Sequence, residues 1–244
     1  MSKVKNYFET HAHNHAYHWD PQIYDEIFKF LKNSNQSDKE TILDLGCGDG
    51  SFLKGALMSG IQGWCLGTDV SYSMIKTAKE NLRNFNVDLI VCDGFTLPMK
   101  VESQFDLIHI DSVLHHLIGK TRRTNMRLVT KMLRLLNKKL SKNGILIIEE
   151  VYYDSYVFQS ITTAIIFYAL KLLNFIHLDS SKMIKEIQLG LEVNFMPTGQ
   201  IRVLLENLGG NTELLKKDPW RFPIFYRILL LKERGHITYL HRQC

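Results

Sequence analysis

Apolar runs and helical periodicities alternate along the first 153 residues of the chain. Five short runs are almost continuously apolar, which is typical of strands buried on both faces of a parallel sheet. They cover residues 41–47, 63–70, 87–94, 105–114 and 144–153. Between the runs, apolar residues recur at helical spacing, most clearly after Ser71, a typical N-cap, and over 120–142. This order predicts an α/β domain with helices on both faces of the sheet.

The alternation of apolar runs with helical periodicities ends after the fifth run. Residues 156–176 are apolar almost all round, and a polar helical stretch over 179–192 follows them. The amphipathic helical pattern resumes at 198–210, and two closing strands are predicted at 212–218 and 224–234. A seven-stranded, mostly parallel sheet is therefore expected. An amphipathic helix is also expected before the sheet, over 21–32.

Composition adds limits to this picture. The 244 residues are 45% apolar and 23% charged, which is ordinary for a globular domain. The N-terminus lacks the apolar core of a signal peptide, so a cytoplasmic location is expected. Polar residues such as Lys171 interrupt the run at 156–176, and the sheet must resume after it, which argues against a transmembrane span. The four cysteines form no CxxC pair, so neither a zinc site nor a disulfide framework is predicted.

Charge is concentrated in one segment. The net charge is +5, yet residues 120–142 hold nine Lys or Arg and no Asp or Glu. The remaining 21 basic and 25 acidic residues leave the rest of the chain at −4. Basic residues at three- and four-residue steps would form one stripe on the helix. Such a stripe can follow RNA phosphates, rest on anionic lipid headgroups or simply face solvent.

The stretch LDLGCGDGSF, residues 43–52, places glycines at 46, 48 and 50 directly after the first predicted strand. Glycines between a strand end and a helix start allow a ligand to approach the backbone closely, with the backbone N–H groups facing it. A dinucleotide fingerprint would need its third glycine at position 51, which is serine. Acidic residues at 69, 93 and 111 also fall at or near strand ends. Carboxylates without Lys or Arg in the loop suit a cationic or neutral nucleoside better than a polyphosphate.

Five sequence blocks resemble motifs of class I S-adenosylmethionine-dependent methyltransferases and occur in the same order along the chain. The chain is similar to the broad subgroup that includes C- and O-methyltransferases of ubiquinone and menaquinone biosynthesis. The blocks are LDLGCGDGSF, GTDVSYSMIKTAKEN, CDGFTLPMKVESQFDLI, DSVLHHL and LSKNGILIIEE. Asn143 stands where the family usually has a glycine. The resemblance implies a Rossmann-like fold, with S-adenosylmethionine as methyl donor and S-adenosylhomocysteine as product.

The resemblance also implies a set of cofactor contacts. Those expected around the methionine moiety are Asp44, Gly46, Cys47 and Gly48. Those expected around the nucleoside are Asp69 on the ribose, Val70 or Met74 on adenine, Asp93 on the adenine amino group, and the backbone of Gly94 or Phe95. Those expected on the sulfonium side are Asp111 and Ser112. No resident metal is expected.

Methyl transfer is an in-line displacement that mainly requires alignment, and a base is needed only when the acceptor carries a proton that must leave. His115, His116 and Glu150 are the candidate catalytic residues, since all three follow or end strands beside the presumed site. The alternative is structural, with the histidines turning the chain and the glutamate acting as a cap. Both alternatives remain open on sequence alone.

The resemblance further predicts how the chain is divided. Residues 1–38 would form a helical lid and 39–244 the methyltransferase domain, with a helical insertion at 154–197. The apolar insertion predicts a small hydrophobic or aromatic acceptor such as a quinol, a phenol or a lipid, or alternatively a homodimer contact through 156–176. Tyr7, Phe8, His18 and Trp19 are the candidates for the lid and the acceptor pocket, and the histidines between 11 and 18 lack the cysteines or clustered carboxylates of a convincing metal site.

Two other functions stay open. A nucleic-acid or protein methyltransferase could dock through the basic helix at 120–142, and a cofactor-binding scaffold would need no base at all. The chain lacks the Asn/Asp-Pro-Pro-aromatic block that is typical of methyltransferases acting on the amino groups of bases. The leading prediction is therefore methyl transfer to a small acceptor.

Overall fold

The computed structural model of the chain describes residues 5–7, 9, 24–25, 27–29, 31, 40–98, 104–158, 160–175, 192–222, 227–228 and 230–243. The strands are β1 (Thr41–Leu45), β2 (Trp64–Asp69), β3 (Asp88–Val91), β4 (Phe105–Asp111), β5 (Leu140–Ser155), β6 (Asn211–Pro219) and β7 (Leu231–Arg242). The helices that follow the start of the sheet are α1 (Ser51–Met58), α2 (Tyr72–Asn81), α3 (Arg122–Asn137), α4 (Ile161–Phe175) and α5 (Thr198–Glu206).

All seven strands form one sheet in the order β3-β2-β1-β4-β5-β7-β6. The first five strands pair in parallel, whereas β7 is antiparallel to both β5 and β6. The predicted seven-stranded, mostly parallel sheet is thus confirmed as a mixed sheet. Strand order reverses between β1 and β4, and ligands of open α/β sheets bind beyond the carboxyl ends of strands at such a point.

Successive strand residues point to opposite faces and so build two cores. On one face, Leu43, Ile108 and Ile148 pack with buried residues of α3 and α5. On the other, neighbouring residues such as Ile42 and Leu107 pack against α1 and the helical residues 24, 27, 28 and 31. Near-continuous apolar strands are therefore explained by burial on both sides.

The position of the last strand differs from the prediction. A strand was expected at 224–234, the most apolar run of this region, but β7 spans Leu231–Arg242. Several of its polar residues, His236 and Thr238 among them, are half-buried or buried and have partners on other strands, so its sequence does not resemble that of an apolar core strand. Gly235 is required within it, because a Cβ there would lie 2.1 Å from the Asp218 carbonyl oxygen of β6.

Helix boundaries are narrower than the periodicity suggests. The helix expected over 120–142 spans Arg122–Asn137, because Thr121 and Thr124 form a reciprocal capping box at its start. Thr121 Oγ1 accepts from the Thr124 N–H, and Thr124 Oγ1 accepts from the Thr121 N–H. The apolar helix expected over 156–176 is α4, and nearly all of the polar stretch at 179–192 lies outside the described residues. Within the described part of the chain, every helix is too short or too polar to cross a bilayer.

Candidate functional site

The loop between β1 and α1 uses its three glycines in different ways. Gly46, Gly48 and Gly50 all have positive φ angles, 76°, 52° and 79°, which side chains with a Cβ rarely adopt. A Cβ on Gly46 would lie 2.4 Å from Val113 Cγ2, and one on Gly50 would lie 2.7 Å from Leu82 Cδ1. A Cβ on Gly48 would meet nothing within 4 Å. Gly48 is therefore where the loop presents bare backbone to open space.

The backbone donors of this loop are largely engaged within the protein. The N–H groups of Gly46 and Cys47 donate to the Thr68 carbonyl oxygen at 2.7 and 2.9 Å. The Gly48 N–H donates to Asp69 Oδ2 at 3.1 Å. The loop therefore offers a ligand its Cα surface rather than these N–H groups, which differs from the expectation that the amides face the ligand.

Asp69 ends β2 and links it to the glycine loop. Its Oδ2 accepts from Gly48, and its Oδ1 accepts from the Ser71 N–H at 2.8 Å. Burial raises the pKa of Asp69 to about 6, although these two backbone bonds oppose the shift. Of the two candidates for adenine packing, Val70 is half-buried whereas Met74 is only 3% exposed. Val70 is therefore the more accessible of the two.

Asp93 lies just beyond β3 rather than in it and caps a 3₁₀ turn at Gly94–Thr96. Its Oδ1 accepts from the Phe95 N–H at 2.9 Å, so this predicted backbone donor is already engaged within the turn. The Phe95 ring packs against the core beside α3, and Lys131 Nζ lies 5.3 Å from its centroid. Of the two backbone donors expected here, Gly94 is the better placed for a ligand.

Asp44 belongs to a buried polar row that crosses three strands. His109 of β4 lies between two carboxylates, with Nδ1 2.7 Å from Asp44 Oδ1 and Nε2 3.1 Å from Glu149 Oε1. The Phe52 ring stacks on the imidazole at 3.7 Å. Burial raises the pKa of Asp44, and the contact with His109 opposes that shift. Asp44 Oδ2 is buried without a hydrogen-bond partner in the described part of the chain.

Asp111 and Ser112 mark the carboxyl end of β4. Asp111 Oδ1 accepts from Ser112 Oγ at 2.8 Å and lies 3.1 Å from Nε2 of His236, a residue of β7. Burial acts to raise the pKa of Asp111, but His236 and Ser112 outweigh it and lower the pKa. Burial acts to lower the pKa of His236, and the facing carboxylates outweigh it and raise the pKa. Ser112 has a φ of 54°, a strained conformation for a residue with a side chain.

The candidate catalytic residues form a compact group beside this strand end. His115 Nδ1 is hydrogen-bonded to Glu150 Oε1, and the Glu150 carboxylate also accepts from the His115 and Val151 N–H groups. Glu150 is fully buried and His115 is 6% exposed. His116 is half-buried, with its ring 4.0 Å from that of His115. His115 Nε2 has no hydrogen-bond partner in the described residues.

An aromatic wall adjoins the His115–Glu150 pair. The Phe195 ring lies 5.4 Å from that of His115 and stacks on Tyr153 at 4.5 Å. Both aromatic residues belong to a cluster that includes Ile166 and Leu170 of α4. The helix α4 therefore packs beside the carboxyl end of β5, and the Tyr153 and Phe195 rings are buried between them.

Arg122 ties this insertion to the domain. Its guanidinium donates to the Thr163 hydroxyl at 2.7 Å, to the Ser160 carbonyl at 3.0 Å and to Asn194 Oδ1 at 3.4 Å. Burial lowers the pKa of Arg122. Arg122 thus makes a structural contact, and it is not one of the residues at three- and four-residue steps that form the predicted stripe, Lys120, Arg123, Arg127, Lys131, Arg134 and Lys138.

The described N-terminal residues lie on both sides of the site. Tyr7 is buried in the cluster that holds Tyr153 and Phe195, next to β5. Glu9 lies at the start of α2, beyond β2, where its carboxylate accepts from the N–H groups of Tyr72 and Ser73 at 2.7 and 3.1 Å. The other lid candidates, and the histidines between 11 and 18, lie outside the described residues.

Sequence reasoning missed the paired partners of the site. His109, His236 and Glu9 carry no motif, although His109 is two residues before Asp111 and must share its face. Glu149 and Glu150 do alternate faces, with one on His109 and the other on His115. Among the described residues, His, Cys, Asp and Glu form no group of three or more that could hold a metal ion.

Comparison with known proteins identifies relatives of this arrangement. A family model described as a methyltransferase domain matches residues 36–188. A sequence comparison with curated proteins finds no match. Among solved structures, the YcgJ protein of Bacillus subtilis is 14% identical with a TM-score of 0.59, and the alignment covers 90% of this chain and 98% of that one.

Two further structures are named for their reactions. Magnesium protoporphyrin IX methyltransferase (ChlM) from Synechocystis PCC 6803, solved with bound S-adenosylmethionine, is 12% identical with a TM-score of 0.55 and coverage of 98% and 96%. The N-methyltransferase NodS from Bradyrhizobium japonicum WM9, in complex with S-adenosylhomocysteine, is 13% identical with a TM-score of 0.57 and coverage of 99% and 98%. At these identities the likeness shows a shared Rossmann-like fold.

Proposed function

The chain belongs to the methyltransferase-domain family and is an S-adenosylmethionine-dependent methyltransferase; we propose that its acceptor is a small apolar or aromatic molecule such as a quinol, a phenol or a lipid. The observation that carries this proposal is the aromatic wall of Tyr153 and Phe195 beside the His115–Glu150 pair. Ligand pockets are mostly apolar, with a few polar groups that orient the ligand. This wall has that composition.

The residues at the ends of β1 and β2 fit the methyl donor. Asp44 Oδ2, buried without a partner among the described residues, can accept from the ammonium of the methionine moiety. The open space above Gly48 admits that moiety close to the backbone. Asp69 uses one lone pair on each oxygen for backbone N–H groups, so each oxygen keeps another for a ribose hydroxyl. The bound donor supplies a methyl group already activated on a sulfonium, and its product is S-adenosylhomocysteine.

The His115–Glu150 pair would serve as the base. A carboxylate on Nδ1 holds the imidazole in the tautomer whose Nε2 is free to accept a proton. That proton would come from the hydroxyl, or from an acidic C–H, of the acceptor as its nucleophilic atom takes the methyl group. Alignment of acceptor and methyl can itself supply about 7–11 kcal/mol. His116 lies beside His115 and would help to position the acceptor.

The N-terminal residues would close the site. Tyr7 packs beside β5 and Glu9 binds the start of α2, so the two described contacts flank the carboxyl ends of the central strands. Tyr7 and Glu9 would thereby hold this end of the chain across those strand ends, where it would exclude water from the reaction and lower the dielectric around the carboxylates. This arrangement supports the predicted lid.

Two measurements test the proposal. Calorimetry should show that Asp69→Ala binds S-adenosylhomocysteine about 10- to 100-fold more weakly, because hydrogen bonds to a charged group are lost. Asp88→Ala is the matched control, since Asp88 lies at the opposite end of the neighbouring strand and binds Trp64. Release of S-adenosylhomocysteine should then be measured with a panel of quinols, phenols, lipids and tRNA.

His115→Ala and Glu150→Gln should lower turnover on the preferred acceptor by about 100-fold while leaving S-adenosylhomocysteine affinity intact. Turnover only with tRNA would overturn the acceptor class. Equal cofactor affinity of Asp69→Ala and the unmodified protein would overturn the assigned binding site. Bound cofactor without turnover on any acceptor would support the scaffold alternative.

A further inference from the structure

The end of β5 lies beside the start of β7 at one end of the sheet. Ser155, the last residue of β5, pairs with Leu231, the first of β7. Just beyond them, the Tyr156 N–H donates to the Leu230 carbonyl oxygen at 3.0 Å, and the Leu230 N–H donates to the carbonyl of Arg227 at 2.9 Å. These bonds hold two chain segments together. We call residues 156–158 together with 227–228 the β5–β7 tip.

The tip exposes large apolar side chains. Tyr156, Val157, Phe158 and Ile228 are 60%, 45%, 79% and 82% exposed, respectively. Phe158 also has a φ of 42°, which is costly for a bulky residue. The Phe158 ring gains little burial from the described part of the chain, so its contacts there do not offset the cost of this conformation. Single exposed apolar residues are ordinary, but four on two joined segments indicate a surface that contacts something else.

Charge around the tip is positive. Arg227 belongs to the tip and is exposed, and Lys232 is exposed one residue into β7. The acidic residues that are nearest to the tip in sequence, Asp154 and Glu233, both bind Lys217. Aromatic and aliphatic side chains that protrude beside basic ones are suited to the interface of an anionic bilayer, where rings enter the headgroup region and cations meet lipid phosphates.

We propose that the β5–β7 tip docks this protein onto anionic membrane surfaces. A second copy of the chain is a poorer occupant for two reasons. The four side chains expose on the order of 500 Å² together, whereas each partner of a stable interface contributes about 800 Å². A self-complementary contact would also bring the Arg227 residues of two copies near each other. The inference goes beyond the proposed function and does not depend on which acceptor is methylated.

Vesicle co-sedimentation of the full chain tests the docking. Vesicles of phosphatidylcholine with about one third phosphatidylglycerol should bind the protein, and pure phosphatidylcholine should bind it at least tenfold less, because the basic residues require anionic lipid. Phe158→Asn with Ile228→Ser should lower the binding at least tenfold, and asparagine tolerates the positive φ at position 158. Arg227→Gln with Lys232→Gln should remove its dependence on phosphatidylglycerol.

Met58→Ser with Val203→Ser is the matched control, since both residues are exposed apolar positions on helices away from the tip. This variant should bind vesicles as the unmodified protein does. Calorimetry with S-adenosylhomocysteine verifies that every variant is folded, so loss of docking and loss of the cofactor site are distinguishable. Failure of the full chain to bind anionic vesicles, or unchanged binding of the tip variant, would overturn the proposal. A dimer that the tip variant dissociates, without vesicle binding, would overturn it in favour of contact between copies.

Discussion

Burial changes the pKa values of single carboxylates in the site, and for Asp69 this change has a consequence that can be measured. Burial raises its pKa to about 6, and only the ionised form can accept from both ribose hydroxyls. Affinity for S-adenosylhomocysteine should therefore be constant above that pH and fall as the pH is lowered through about 6. Calorimetry between about pH 8 and about pH 5 measures it. Asp69→Asn should bind weakly with little change over that range, whereas a flat profile for the unmodified protein would contradict the role of Asp69.

His109 is the second residue whose environment makes a prediction. Its imidazole separates the buried carboxylates of Asp44 and Glu149, so His109→Leu should destabilise the protein by about 3–5 kcal/mol in urea unfolding. Without the imidazole between them, the two carboxylates would have raised pKa values in the folded state, because burial favours their protonated forms. Stability of the variant should therefore be higher at low pH and be lost as the pH rises.

The control for His109 neutralises its partners. Adding Asp44→Asn and Glu149→Gln to His109→Leu should restore part of the stability and remove its pH dependence, because amides carry no charge to desolvate. A cost below about 1 kcal/mol for His109→Leu alone would show that the two carboxylates do not depend on the imidazole.

The role of a single residue could be predicted from the sequence only where its residue type had one explanation. Three glycines after a strand predicted a loop that a ligand can approach closely, and Gly46, Gly48 and Gly50 all have positive φ angles there. His109 and His236 could not be found in the same way, since each is explained by a carboxylate that is distant in sequence. Pairing register decides such contacts, and a single sequence does not display it.

At the scale of elements, Glu9 anchors the N-terminal segment to α2. The first turn of a helix has N–H groups without intrahelical partners. Ser71 Oγ accepts from the Met74 N–H, whereas Glu9 accepts from those of Tyr72 and Ser73 and from the Ser73 hydroxyl. The Ser73 hydroxyl is the largest cause of the lowered pKa of Glu9. A residue far away in sequence thus completes the cap of this helix.

The contact between Glu9 and the first turn of α2 predicts a change in the rate at which S-adenosylhomocysteine is released. Glu9→Ala and Ser73→Ala should each speed dissociation of S-adenosylhomocysteine about fivefold, which corresponds to the roughly 1 kcal/mol of a helix cap. Because Ser73→Ala removes only the bonds of the hydroxyl, whereas Glu9→Ala removes every bond of the carboxylate, the double variant should be little faster than Glu9→Ala alone. Stopped-flow measurement gives the rates, and Glu80→Ala, an exposed acid near the other end of α2, is the control. Additive effects would show that the two residues act separately.

Strands and helices could be predicted where a single sequence feature determines them. The central strands and α2 follow from apolar runs and an N-cap serine. The last strand was misplaced because β7 carries His236 and Thr238, whose partners are Asp111 and Glu149 on other strands. A strand with paired polar residues is hard to recognise by hydropathy, which favours the more apolar run at 224–234.

On the scale of the whole molecule, charge divides into an acidic edge and a basic helix. Asp44, Asp69 and Asp111 lie at the carboxyl ends of the central strands, where they favour a cationic methyl donor. The basic residues of α3 lie on a helix that packs against one face of the sheet. Apart from Arg122, which holds the insertion, the Arg side chains of α3 are exposed.

This division predicts that the exposed part of the stripe is dispensable for methyl transfer to a small acceptor. Arg127→Glu with Arg134→Glu should leave S-adenosylhomocysteine affinity and turnover within twofold, because exposed helix substitutions change stability by no more than about 0.5 kcal/mol each. Arg122→Met is the contrasting variant, since it releases Ser160 and Thr163, at the start of α4, from α3 and should raise the acceptor KM more than it lowers kcat. Steady-state assays on one acceptor separate the two variants. Loss of turnover in the double variant on every acceptor would instead make the stripe a docking site for a polyanionic substrate, with salt-dependent RNA binding as its second sign.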